Sequence, residues 1–172
     1  MKRLGAVFIL GLLIGGVIVY LAVPQLTTIK GDIIGVCFSP DGQCGEQIIY
    51  WINQANESIY ICVYSFTLDS VGDALVNAFH RNVTVKVVFE KSQISKYSEY
   101  HTLQGVGIDV RNDTNSGLMH HKFMIVDEFT VLTGSYNWSK NAEENNNENL
   151  LVVQGKDIAI EYEMEFWRVW NW

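Results

Sequence analysis

Basic residues are scarce in this chain, and the shortage narrows its chemistry before any motif is read. Lysine and arginine number 12 against 19 acidic residues, for a net charge of −7. Without Lys2 and Arg3 the balance is 10 against 19, or −9. The balance weighs against broad electrostatic capture of a polyanion, and any nucleic-acid contact must rest on a local patch. Cysteine is also sparse, at three residues. No second cysteine pair or nearby histidine completes four ligands, which argues against a zinc site. No carboxylate cluster has metal-ligand spacing, and no internal repeat is visible. The 172 residues suit one domain, large enough to bury a core.

Charge is missing altogether from Leu4 to Pro24, LGAVFILGLLIGGVIVYLAVP, which follows Lys2-Arg3. The length is near the ~20 residues that span a bilayer as a helix. A signal peptide has a shorter apolar core, of about 7–15 residues, and ends in a small-x-small site. Val19 to Pro24 offers no clean site of that kind. Residues 1–24 are read as a transmembrane anchor or uncleaved signal, with a single hydrophobic helix. The basic pair places the N-terminus in the cytoplasm and the domain on the extracytoplasmic side. Secretion after leader cleavage is the alternative. Residues 25–35 read as a linker and 36–172 as the domain.

Within the domain, strand and helix patterns alternate. Glu46 to Asn56 carries apolar residues at helical spacing, and Ser58 to Phe66 reads as a buried strand. Asp69 or Ser70 is placed to cap a helix with Val71, Ala74, Leu75, Ala78 and Phe79 on one face. Val83 to Phe89 and Gly107 to Val110 read as strands. So do Leu118 to Val126 and Thr130 to Thr133, joined by a tight turn at Asp127-Glu128. Asn141 to Asn149 reads as a polar loop, Leu150 to Val153 as a strand and Lys156 to Trp170 as a helix. This alternation predicts an α/β layered domain. Cys62 lies in an apolar run and reads as a buried thiol. Cys37 and Cys44 flank a turn-rich loop, and a disulfide and two free thiols are both open.

The chemistry-bearing stretch is His120-His121-Lys122-Phe123-Met124-Ile125-Val126-Asp127, followed by Gly134-Ser135-Tyr136-Asn137. On a strand, side chains alternate faces, so His120 and Lys122 share one side and His121 takes the other. Imidazole attacks phosphorus or carries a proton near neutral pH. A lysine ammonium stabilises non-bridging oxygens, and serine and asparagine add neutral donors. Singly, each residue is more readily explained as a solvated face or a turn. Together the spacing points to a phosphate-ester pocket that needs no metal and no cofactor.

At these residues the sequence resembles the phospholipase D superfamily, whose signature is H-x-K-x4-D-x6-G-S. His120, Lys122, Asp127, Gly134, Ser135 and Asn137 fall in register. Tyr64 to Thr67, Met119 to Asp127 and Asn146 to Leu151 extend the likeness to the small, single-motif branch. That branch includes a bacterial endonuclease and mitochondrial cardiolipin hydrolase-like proteins. The resemblance runs from Val36 to Trp170 and implies an α-β-α sandwich around a mixed sheet.

It also implies roles. His120 is the nucleophile that forms a phosphohistidine, or the acid that protonates the leaving oxygen. Lys122 and Asn137 hold phosphate oxygens, and Ser135 donates a supporting hydrogen bond. Asp127 and Gly134 are structural. Glu148 orients an imidazole. The mechanism needs two imidazoles, and this chain has one motif, so a homodimer sharing one site is expected.

Three functions follow. The first is a sequence-tolerant endonuclease on DNA or RNA, with Lys86, Lys91, Lys96, Arg111 and Lys140 either lining a groove or, as the net charge favours, scattered as solvated charges. The second is a phospholipid headgroup hydrolase held near the bilayer by residues 4–24. The third is a non-catalytic, membrane-tethered nucleic-acid-binding module.

Overall fold

A computed structural model describes residues 28–172, so the expected anchor at 4–24 lies outside the described residues. Among the described residues no helix is long and apolar enough to cross a membrane. Strand β1 spans Asp32–Ser39, helix α1 Cys44–Gln54, β2 Ser58–Val63, α2 Asp69–His80 and β3 Thr84–Phe89. A 3-10 turn at Lys91–Gln93 leads to α3, Tyr100–Gly105, and β4, Asp109–Asn112. The remaining elements are β5 Lys122–Val126, β6 Thr130–Gly134, α4 Lys140–Glu144, β7 Glu148–Gln154 and α5 Lys156–Trp170.

The strands form one mixed sheet in the order β1-β7-β6-β5-β2-β3-β4. Strands β2, β3 and β4 are parallel, as crossover helices require, and the rest pair antiparallel. Helices cover both faces, giving the α/β layering that the alternation predicts, in the α-β-α form that the resemblance implies. Helix α1 buries Cys44, Ile48 and Ile52, at intervals of four, and α2 buries Val71, Ala74, Leu75 and Ala78. Both join Ile59, Ile61, Met124 and Leu132 in the larger core. On the other face, α5 lays Ala159, Phe166 and Trp170 against Phe123, Ile125 and Val131. Tyr60 stacks on Phe166 with centroids 5.0 Å apart, extending this second core. The alternation of β5 feeds both cores, so all five of its residues are buried.

Four local expectations are corrected. The stretch 25–35 is not all linker, because β1 begins at Asp32 and pairs with β7. Its outward residues meet no helix among the described residues, so Ile33, Val36 and Phe38 stay exposed there and lack the signature of a buried strand. The strand expected from Leu118 starts only at Lys122, because its partner β2 ends at Val63. The expected loop at 141–149 holds α4, capped by Ser139, whose hydroxyl accepts from the Ala142 N–H at 3.3 Å. Neither Asp69 nor Ser70 caps α2; the chain enters at Leu68, whose N–H donates to the Trp138 carbonyl at 3.1 Å.

Cys37 and Cys44 are joined as a disulfide, with Cα atoms 5.8 Å apart. It ties β1 to the start of α1. Cys62 is a buried free thiol, as its apolar context predicts, and burial pushes its pKa well up.

Candidate active site

The site is built where the β5–β6 hairpin opens. Residues 118–121 enter β5 between two anchors. The Met119 N–H donates to Glu90 Oε2 at 2.7 Å, and the Tyr64 N–H donates to the His121 carbonyl at 2.8 Å. Glu90 has no exposed surface, and its carboxylate also accepts from the Ser92 N–H at 3.0 Å. Burial pushes its pKa up, but the Ser92 and Met119 hydrogen bonds outweigh this and hold it below the ordinary value. His120 is thereby presented at the surface on a fixed backbone. Its ring meets Tyr64 edge-on at 4.3 Å.

Lys122 is the buried partner, with 6% of its surface exposed. Its ammonium lies 3.0 Å from His120 Nδ1 and donates to the His120 carbonyl at 2.8 Å. It also sits 4.9 Å above the Tyr64 ring. Burial lowers its pKa to about 8, against the opposing pull of Glu148. The His120 pKa is lowered too, first by burial and then by the neighbouring Lys122 charge.

The segment after β6 supplies the opposite wall. Tyr136 and Trp138 turn into the core, which leaves Ser135 and Asn137 on the pocket side. The Trp138 N–H donates to the Ser65 carbonyl at 3.0 Å, holding this segment against the end of β2. At Gly134 the neighbouring strand comes very close, and any Cβ would collide with the Asn149 carbonyl oxygen. That oxygen accepts from the Ser135 and Tyr136 N–H groups at 3.1 and 3.2 Å. The Ser135 hydroxyl accepts from the Asn149 N–H at 3.1 Å, which leaves its own proton free to donate. Asn137 Oδ1 is buried with no partner among the described residues.

His120, Lys122, Gly134, Ser135, Asn137 and Glu148 line one pocket of about 290 Å³. Asp127 is elsewhere. It sits in the hairpin turn and accepts from the backbone N–H groups of Asn56, Glu57 and Ser58 at 2.8–3.2 Å. Those bonds outweigh the upward push of burial and hold its pKa below the usual carboxylate value. It acts as a clamp on the loop before β2, in keeping with a structural role.

Two expected roles find no contact within one chain among the described residues. Within one chain Glu148 does not orient His120. Its Oε1 accepts from Asn146 Nδ2 at 3.0 Å, while Lys122 occupies Nδ1 of the ring. The basic groove is not assembled either. Lys86 pairs with Asp109 at 2.5 Å, and Arg111 donates to the Trp170 carbonyl at 2.8 Å. Lys91 donates to the Asn115 carbonyl, Lys140 faces Glu144 at 3.6 Å and Lys96 lies over Tyr97. None lines the pocket. Glu90 was not singled out from the sequence. Its only signal is an acidic residue directly after the apolar strand Val83 to Phe89.

Residues 48–170 match the family model described as "Cardiolipin synthase, PLD-like domain". A phospholipase D of Rickettsia prowazekii is 35% identical over 130 residues, 75% of this chain and 63% of that protein. A mitochondrial cardiolipin hydrolase of Xenopus tropicalis is 35% identical over 127 residues, 73% of this chain and 60% of that protein. The chain thus spans less than two thirds of the length of these relatives. Among solved structures, Nuc from Salmonella typhimurium, a phospholipase D family member, superposes with a TM-score of 0.78 at 33% identity. That match covers 83% of this chain and 95% of Nuc. By family match, sequence and fold, the chain belongs to the phospholipase D superfamily.

Proposed function

We propose that the chain is a metal-independent phosphodiesterase that cleaves nucleic acid through a phosphohistidine. The observation that carries this reading is the convergence of His120, Lys122, Ser135, Asn137 and Glu148 on one pocket. The Lys122 ammonium donates to Nδ1, so the ring proton sits on Nε2. A phosphodiester anion is the better acceptor for that ammonium. Substrate therefore draws Lys122 onto a non-bridging oxygen, and the Nε2 proton passes through solvent to the freed Nδ1. The Nε2 lone pair then attacks phosphorus, forming the P–N bond as the P–O bond to the leaving group breaks. A second, protonated imidazole gives its proton to the departing oxygen. Water next attacks phosphorus and gives a proton to that second imidazole, the P–N bond breaks with its electron pair returning to Nε2, and the product is a phosphate monoester. Asn137 and Ser135 hold the other oxygens throughout.

The second imidazole comes from another copy. His121 is turned toward Glu165, at 2.7 Å, and His80 and His101 lie on α2 and α3 outside the pocket. The exposed row of Ile33, Val36 and Phe38 on edge strand β1 gives a second copy an apolar surface beside the site. Sedimentation should find a dimer at assay concentration, and an active monomer would sink this reading. Residues 4–24 would anchor the dimer, with its domains extracytoplasmic, or be cleaved; the mass of the mature chain decides between the two.

Nucleic acid is supported by the single-motif architecture and by the match to nearly the whole length of Nuc. Phospholipid is the second reading, favoured by the names of the Rickettsia and Xenopus relatives. The full chain in mild detergent, with chelator present, is offered plasmid, single-stranded DNA and phospholipid vesicles. Chelator-resistant cleavage of DNA that disappears in His120→Ala is expected. Headgroup release without cleavage of DNA supports the lipid reading.

A further inference from the structure

The phosphate pocket has a neighbour that the mechanism does not use. A cavity of about 330 Å³ shares His120, Lys122 and Gly134 with it. Its size falls in the range of small-ligand sites. The far wall is His121 together with Glu161, Tyr162 and Glu165 of α5.

This wall is held rigidly. His121 Nε2 meets Glu165 Oε1 at 2.7 Å, and Arg168 grips the same carboxylate through Nε at 2.6 Å and Nη2 at 2.5 Å. The Tyr162 hydroxyl donates to Thr133 Oγ1 at 3.2 Å, and its ring packs edge-on to Phe123 at 5.1 Å. Two fixed rings therefore face the cavity. Glu161, one turn before Glu165, is exposed and makes no hydrogen bond or ion pair among the described residues.

A diester seated at His120 has two ester arms, and the shared wall directs one of them into this space. The cations at the cavity are those it shares with the phosphate pocket, and the rest of its charge is carboxylate. A second phosphate would be repelled there. What fits is a flat, uncharged group that offers a π-face to the rings and N–H donors to Glu161. An unpaired nucleobase has both. Guanine fits best, since two adjacent N–H groups match one carboxylate. A base paired in a duplex has those donors occupied.

We propose that this cavity is a nucleobase subsite that takes an unpaired base next to the scissile phosphate, with Glu161 reading its donor edge. The inference rests on the nucleic-acid reading of the catalytic pocket. It makes the enzyme prefer single strands and amino-bearing bases.

The test uses dinucleoside monophosphates, which carry one scissile phosphate and no other. The full chain in detergent is given the deoxyguanosine, thymidine and abasic forms, with bis(p-nitrophenyl) phosphate as a base-free control. Expected kcat/KM falls from guanosine to thymidine to abasic, with guanosine about tenfold above abasic. Glu161→Ala should bring the guanosine-to-abasic ratio down to the thymidine-to-abasic ratio, which stacking sets, and Glu161→Gln should narrow the gap between guanosine and thymidine. A merely structural defect would slow every substrate alike and leave the ratios standing. Equal rates across the three forms in the native chain, or ratios unchanged in both variants, overturn the subsite. If bis(p-nitrophenyl) phosphate is cleaved and no dinucleotide is, the nucleic-acid reading falls and the subsite falls with it.

Discussion

The β5–β6 hairpin carries the family signature, and its two ends are built in opposite ways. At the turn, Asp127 is saturated by three successive backbone N–H groups. At the open end, His120 is exposed and touches Lys122 and Tyr64. One end has its hydrogen-bonding capacity filled from within, and the other holds capacity in reserve for a ligand. Six residues that read as one motif therefore divide into a clamp and a reactive edge. Membership of a signature says nothing about which residues touch substrate; the partners of each side chain do.

Substitutions at the two ends should separate turnover from stability. His120→Ala should lower kcat by at least about a thousandfold, with little change in Tm, because an exposed ring is removed. Asp127→Ala should do the reverse. Leaving three N–H groups without their carboxylate costs about 2 kcal/mol, or about 4–8 °C in Tm for a domain of this size. Turnover per folded molecule should stay within a few-fold. The Asp127 contribution has a definite pH dependence. Its folded pKa is depressed, so the stabilisation is complete above the ordinary carboxylate value and is lost as pH falls through the lowered folded value. A Tm loss for Asp127→Ala that persists undiminished at low pH would contradict the clamp.

A smaller effect sharpens the open end. The His120 pKa lies below its ordinary 6.5, and the Lys122 pKa is brought to about 8 by burial. On the proposed mechanism the nucleophile must be neutral, the second imidazole protonated and the lysine charged. The kcat/KM profile should therefore rise through a limb below pH 6.5, fall as the second imidazole loses the proton it donates, and fall again through an alkaline limb near pH 8 as Lys122 deprotonates. Lys122→Arg keeps its charge at all these pH values and should move the alkaline limb upward, at a lower maximum rate. An alkaline limb that stays in place in Lys122→Arg would assign it to another group. For stability the pH slope has the same sign as that of Asp127, in a higher pH window. A depressed lysine pKa means the unfolded chain binds the extra proton, so this group's contribution to stability rises with pH between about 8 and 10.5.

Much of this was legible in the order of residues, for identifiable reasons. Strands with apolar residues on both faces, such as Val83 to Phe89, announce themselves, as do helices that bury one stripe. The pairing of His120 with Lys122 follows from alternation alone. What stayed hidden depended on distant partners. Strand β1 looks like a linker because, among the described residues, one face has nothing packed on it. Helix α4 lies in an asparagine-rich stretch whose composition favours a loop, and Ser139 tips it. Glu148 has the right neighbourhood, yet only the fold reveals that Asn146 holds its carboxylate. The lysines and Arg111 look available in one dimension and are tied up in three.

Among the described residues the β1 row of Ile33, Val36 and Phe38 is uncovered. Phe38 pairs with Asn149, whose amide and backbone hold Ser135 at the pocket wall. Whatever covers Phe38 is thus two residues removed from the phosphate. If covering that row changes the affinity for phosphate, thermodynamic reciprocity requires bound phosphate to change the affinity of the cover by the same factor. Assembly and substrate would then be two ligands of one linked equilibrium, and measuring either at fixed concentrations of the other reads out both.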